Sequence, residues 1–401
     1  MSPSTSLELL PPEIQCHILE QMPDMKTLRA LLHASPQYFQ VYTRSKEAIL
    51  SQVTCNQITD SVLPIAVDAF EQQKLREGYG VRIERLSFLE GFRQESLRKS
   101  YGFSLKTSKA LHQFHSIVEF FMSDFTRTRI AIIENYLHSG NTHLLPHEPV
   151  SIVRDSERAF VLSHTEYIRL ARAFYHLELY GDLFCREEIF YDDIDAITQS
   201  TLFLQRLTEW ELEEFLCVRN YLIEKLVQYL DQVEDDFMQY FIEQKAHIIE
   251  SSGPGSRWIS EDWFFSWDNN GRGQEKWFEG CLTRSLPTIK AMLTADTPEA
   301  RFMAFGNTDI PRNTLSQALN RISTHRSRPS SKWPRTNFQE IEFHDEIEKH
   351  NAAWAWLMED QSFLRFCTSN IYDRFLDGLR RWGYAIWDHE RLKHLGVLSK
   401  A

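Results

Sequence analysis

Apolar residues in the first fifty positions recur at helical spacing and are cut into short blocks by proline. Ile14, Ile18 and Leu19 stand at i, i+4 and i+5, one side of a helix with 3.6 residues per turn. That helix is predicted to open at Leu10-Pro11-Pro12-Glu13. Proline fits a first helical turn, where its missing N–H costs nothing, and an acid there suits the helix dipole. Met22-Pro23 closes the helix, because the residue before proline disfavours the α region. Asp24 is the expected N-cap of a second helix with Met25, Leu28, Leu31 and Leu32 on one side. Ser35-Pro36 repeats the cap-then-proline device and opens a third helix carrying Phe39 and Tyr42. So small a unit buries its own apolar residues poorly.

The remainder also reads as helix. Ser163-His164-Thr165-Glu166 is a capping box ahead of a helix expected to run to Tyr180 and end at Gly181. Thr208-Glu209-Trp210-Glu211 is another, preceding a long stripe from Leu212 and Phe215 through Leu222, Leu226 and Leu230 to Phe237. Further helices are expected around 81–99, 108–139, 286–294 and 341–378. Gly, Pro and Ser content predicts loops at 139–149, 251–256 and 324–336. No fixed-period repeat is present, which excludes the common solenoid and propeller patterns. The expected fold is all-α: a three-helix module over residues 1–50, then a large, mainly helical domain over 51–401 without sequence repeats.

Composition agrees with this picture. Phe alone (27) outnumbers Gly (15) or Pro (14), few breakers for a many-turned β architecture. The net charge is −12, with 44 Lys and Arg against 56 Asp and Glu, which argues against nucleic acid as a partner, since phosphate binding needs a surplus of cations. Six cysteines, Cys16, Cys55, Cys185, Cys217, Cys281 and Cys367, form no CxxC pair, as expected of reduced thiols in an intracellular protein. Met1 to Leu10 lacks a basic n-region and an apolar h-region. No apolar run approaches the ~18 residues a membrane span needs. A cytoplasmic or nuclear protein with no membrane association is the expectation.

Candidate chemistry is sparse. His112 and His115 stand at i, i+3, a spacing that can share a metal, but no third ligand is near in sequence. Surface or cap histidines are the commoner outcome. Asp192-Asp193-Ile194-Asp195 reads as an acidic helix start rather than a cation site. Gly253-Pro254-Gly255 and Gly271-Arg272-Gly273 lack the spacing of a phosphate loop and read as turns. Cys281 has no catalytic context, and GxSxG and HExxH are absent. No cofactor, metal or catalytic residue is expected. Trp258, Trp263 and Trp267 belong to an aromatic-rich stretch reaching Trp277 and Phe278. These residues either plug the core beneath a loop, the favoured reading, or form a partner site. Arg321, Arg326, Arg328, Lys332 and Arg335 cluster in a Ser/Pro segment that reads as a solvated loop.

Residues 10–42 resemble the F-box, the adaptor-binding module of Skp–cullin–F-box ubiquitin ligases. The match rests on Leu10-Pro11-Pro12-Glu13-Ile14, Ile18-Leu19, Leu28, Leu31 and the Ser35-Pro36 corner followed by Phe39. Two more segments, Arg169 to Tyr180 and Leu379 to Asp388, look like those of F-box-like families in filamentous fungi. The resemblance implies a Skp-family adaptor as partner, a cullin scaffold through it, and an unknown substrate protein for the large domain. The adaptor contacts it implies are Leu10, Pro11, Ile14, Ile18, Leu19, Met25 and Leu28. In that reading the chain recruits substrate and is not itself an enzyme. Two others stand beside it: a helical interaction protein whose degenerate F-box only caps its own body, with Ile14 and Ile18 buried, or an enzyme whose cleft gathers His112, His115 and the Asp192–Asp195 carboxylates.

Overall fold

The computed structural model describes residues 7–77, 82–92, 102–139, 161–184, 194–248, 272–282, 284–306, 315–325, 349–359, 374–395 and 397. Every regular element among them is helical. The first four are α1 (Pro12–Glu20), α2 (Met25–Ala34), α3 (Pro36–Arg44) and α4 (Lys46–Ile58), preceded by a 3₁₀ turn at Leu7–Leu9. Their ends follow the local chemistry. Asp24 accepts from the Thr27 N–H at 2.6 Å, and the Ser35 hydroxyl accepts from the Tyr38 N–H at 3.4 Å. The α1 C-terminus is closed from α4, where Asn56 Nδ2 donates to the carbonyls of Glu20 (2.7 Å) and Met22 (3.0 Å).

Four helices, not three, enclose the small core of Leu19, Met25, Leu28, Tyr38, Val41, Ile49, Leu50 and Val53. A boundary at residue 50 therefore falls within α4. Three short helices cannot shield their own apolar sides, and the fourth supplies the missing wall. In α3 the inward residues are Tyr38 and Val41, while Phe39 points to solvent. The far end of α4 enters a second core through Ile58, with Cys55 packed against it. One helix thus belongs to both bodies.

The second body comprises α5 (Leu63–Glu77), α6 (Arg82–Gly91), α7 (Leu105–Ser139), α8 (His164–Phe184), α9 (Ala196–Leu202), α10 (Glu209–Ile248), α11 (Arg272–Leu282), α12 (Leu286–Leu293), α13 (Pro298–Gly306), α14 (Leu315–His325), α15 (Ala352–Glu359), α16 (Arg374–Arg381) and α17 (His389–His394). Helix α8 is its axis, packed on α5, α7 and α10, with every residue from Ile168 to Phe184 buried. Both predicted capping boxes form: Ser163 N–H donates to Glu166 (2.9 Å) and Thr208 N–H to Glu211 (2.8 Å). Helix α8 does not stop at Gly181 but continues to Phe184. Packing on all sides outweighs the ~1 kcal/mol helix penalty of one glycine. The helix expected over 341–378 is seen only as α15 and the start of α16; residues 360–373 lie outside the described set, as do most of the three predicted loops.

The segments Arg169 to Tyr180 and Leu379 to Asp388 meet in this core. Arg169 Nη1, on α8, donates to Asp388 Oδ1 (2.7 Å) and to the Ile386 carbonyl (3.2 Å). Asp388 N–H in turn donates to Glu166 Oε1 at 3.0 Å, and Arg391 Nε to the same oxygen at 2.6 Å. The turn between α16 and α17 is shaped by Gly383, at φ +76, where a Cβ would sit 2.9 Å from Phe125 Cζ. Only glycine meets both conditions there. Ion pairs with a buried arginine recur through the body: Arg172–Glu214 (2.8 Å), Arg380–Glu213 (2.8 Å), Arg219–Glu279 and, with its carboxylate partly exposed, Arg129–Glu224 (2.8 Å). Such pairs stabilise little in net terms, but losing one partner strands a desolvated charge.

Candidate docking surface

The small module places apolar side chains outside as well as inside. Leu7 is 63% exposed, Leu9 80%, Ile14 49% and Phe39 52%. Of the ten large apolar residues exposed among the described residues, these four lie within the first 39 positions. Pro11 and Pro12 are also exposed, and Leu10 and Ile18 are half-buried. The Leu7–Ile14 stretch is thus an exposed apolar ridge along the sequence, and exposed apolar residues mark interaction sites when contiguous.

The seven residues implied as adaptor contacts divide in two. Leu10, Pro11, Ile14 and Ile18 lie on or at the margin of the ridge. Leu19, Met25 and Leu28 are buried in the module's own core. The physical reason is that short helices α1 and α2 turn their most apolar side toward α3 and α4. Ile18 also packs on that core, which makes it a mixed position.

The ridge turn is fixed by polar contacts that sequence reading missed. Gln15 is fully buried, and its Nε2 donates to the carbonyls of Glu8 (2.8 Å) and Leu10 (2.9 Å). Ser35 Oγ donates to Glu8 Oε1, and Tyr38 O–H to the Leu7 carbonyl at 3.5 Å. A glutamine inside an otherwise apolar i, i+4 pattern was the available signal. Beside the turn runs a groove of about 400 Å³ between α1 and α3, lined by Glu8, Pro12, Gln15, Gln37, Gln40 and Arg44 among others.

The other candidates resolve into structural roles or fall outside the described residues. His112 Nδ1 lies 3.1 Å from Gln57 Oε1. Because Gln57 Nε2 donates to Glu119 (3.1 Å), its Oε1 must accept, and His112 carries the proton on Nδ1. His115 is buried between two phenols, Nδ1 2.8 Å from Tyr175 Oη and Nε2 2.7 Å from Tyr167 Oη. Tyr167 donates to the Gln57 carbonyl (3.0 Å), which fixes His115 as the Nε2–H tautomer with Tyr175 donating to Nδ1. These rings tie α4, α7 and α8 together. Burial, then the charge of Arg29, holds the His112 pKa below its ordinary 6.5. No group of three or more His, Cys, Asp or Glu able to hold a metal exists among the described residues.

Asp195 caps α9, accepting from Thr198 N–H at 2.7 Å; Asp192 and Asp193 are outside the described residues. Cys217 and Cys281 are both buried, and burial pushes the Cys217 thiol up. Trp258, Trp263 and Trp267 lie outside the described residues, whereas Trp277, at the end of that stretch, is buried and stacked on Tyr229. No helix among the described residues is long and apolar enough to cross a membrane.

Comparison with protein-family models, with curated proteins and with solved structures returned no match.

Proposed function

We propose that this chain is an F-box-type recruiting subunit: its N-terminal module docks on a Skp-family adaptor, and through it on a cullin scaffold. The helical body then presents a substrate protein to the assembled ligase. Catalysis belongs to the partners, and this chain contributes proximity. The observation that carries the reading is that Ile14, like Leu7, Leu9 and Pro11 earlier in the same short stretch, is exposed on a module whose core is already complete without them. An apolar anchor left outside a closed core is available to a groove on another helical protein. The self-capping alternative asks for Ile14 and Ile18 both buried within the chain; Ile14 is exposed, while Ile18 is half-buried against the module's own core.

The test is a pull-down with purified Skp-family adaptor, comparing the full chain with the Leu9→Asp plus Ile14→Asp variant. Ile18 is left intact because it packs on the module core, and a charge there would confound docking with folding. Capture of the wild type and not of the variant is the expected result. Equal capture, or none for either, overturns the reading.

A further inference from the structure

The Leu7–Leu10 turn is an exposed, short 3₁₀ segment at the edge of the module. Turns of this size have no stable conformation of their own, because one turn of helix fixes several dihedrals for a single hydrogen bond. Its one internal backbone bond, from Leu10 N–H to the Leu7 carbonyl, is long at 3.4 Å. What holds it is the side-chain set beneath. Gln15 spans the turn, tying the Glu8 and Leu10 carbonyls to one amide, while Ser35 and Tyr38 tie its outer end to α3.

We infer that Gln15 is a positioning residue that latches this turn, so that Leu7 and Leu9 are presented beside Ile14 as one preformed docking edge. This deepens the adaptor-docking reading and rests on it for the identity of the partner. Gln15 touches no partner itself, since it is fully buried. It acts by removing the ordering cost that a loose turn would pay on binding, the general route by which preorganisation raises affinity.

A second observation separates this role from ordinary core packing. Gln15 Oε1 is buried with no hydrogen-bond partner. An orphaned buried acceptor is a stability cost, so the residue is poorly suited to a purely structural task. Its two donors serve the turn alone. Replacing it by leucine removes the orphan acceptor and the two latch bonds together, and the freed carbonyls sit on an exposed segment where water satisfies them. The substitution should therefore release the turn without weakening the module.

The experiment uses the full chain as wild type and Gln15→Leu with two readouts and a melting curve. First, a Glu-specific protease is added and cleavage after Glu8 is followed by mass spectrometry. Second, purified Skp-family adaptor is titrated calorimetrically. The expected result is cleavage after Glu8 about tenfold faster and adaptor affinity about tenfold weaker, with unchanged melting. Unchanged cleavage overturns the latch. Faster cleavage with unchanged affinity overturns its role in presentation. A wild type that binds no adaptor sinks the docking reading and with it the positioning role, while the cleavage rates still report the latch by themselves. A lowered melting point reassigns Gln15 to folding and overturns the inference, with Gln15→Met as the check that the loss is not one of leucine's shape.

Discussion

The module and the body solve the same problem in opposite ways. Among the described residues the body buries sixty-eight apolar ones and, with them, a series of arginine–carboxylate pairs, so both its grease and much of its charge are internal. The module closes on eight buried apolar residues and leaves Leu7, Leu9, Ile14 and Phe39 in water. Its surface is therefore the less finished of the two. Among the described residues, the exposed large apolar side chains of the body are spread from Phe120 to Met303, while in the module four of them fall in a stretch of 33 residues, counting from Leu7 to Phe39.

If the body lives on internal pairing, breaking one pair should be the largest effect in the molecule. Arg172→Leu leaves Glu214 and Glu211 buried without the guanidinium that bridges them at 2.8 and 3.6 Å. A loss of about 3–5 kcal/mol in urea unfolding is expected; a loss under ~1 kcal/mol would mean that the pairs are incidental. Next in size is Gly383→Ala, where positive φ and the 2.9 Å approach to Phe125 act together. About 3 kcal/mol should be lost, read by thermal unfolding, and a neutral outcome would show that the α16–α17 turn tolerates other backbones.

The smallest effect concerns the joint between the two regions. His112, facing Gln57 of α4, has its pKa lowered by burial first and Arg29 second. The sign follows by linkage: the unfolded chain, with the ordinary value of 6.5, takes a proton before the folded chain does. Stability is unaffected by this group above pH 6.5 and falls as pH drops below it. His112→Gln keeps a donor toward Gln57 and should flatten the acid side of a melting-temperature profile; an unchanged profile would remove His112 from the joint's acid response.

Much of the fold was legible because its punctuation is local. Asp24, Ser35, Ser163 and Thr208 cap helices where the sequence puts them, since a cap needs only its own first turn. What was not legible depends on the far side of the chain. A nine-residue helix such as α3 has apolar residues on both sides, and its packing on α1, α2 and α4 decides that Tyr38 and Val41 go in while Phe39 stays out. In α8, Arg169, Arg172 and Glu178 would suggest a wet side, yet all three are buried because their partners come from α10, α12 and the C-terminal turn. Gln15 escaped notice since its value lies in two carbonyls upstream of the helix that carries it.

Docking at the Leu9–Ile14 edge, as proposed, is measured by calorimetric titration of the full chain with purified Skp-family adaptor. Burying one such side chain stabilises by roughly 1.5–3 kcal/mol, so the Leu9→Asp plus Ile14→Asp variant should bind about a hundredfold more weakly or not at all. Both residues are solvent-facing, and the variant should melt where the wild type does. Equal affinities, or a wild type that gives no heat of binding, would contradict the account.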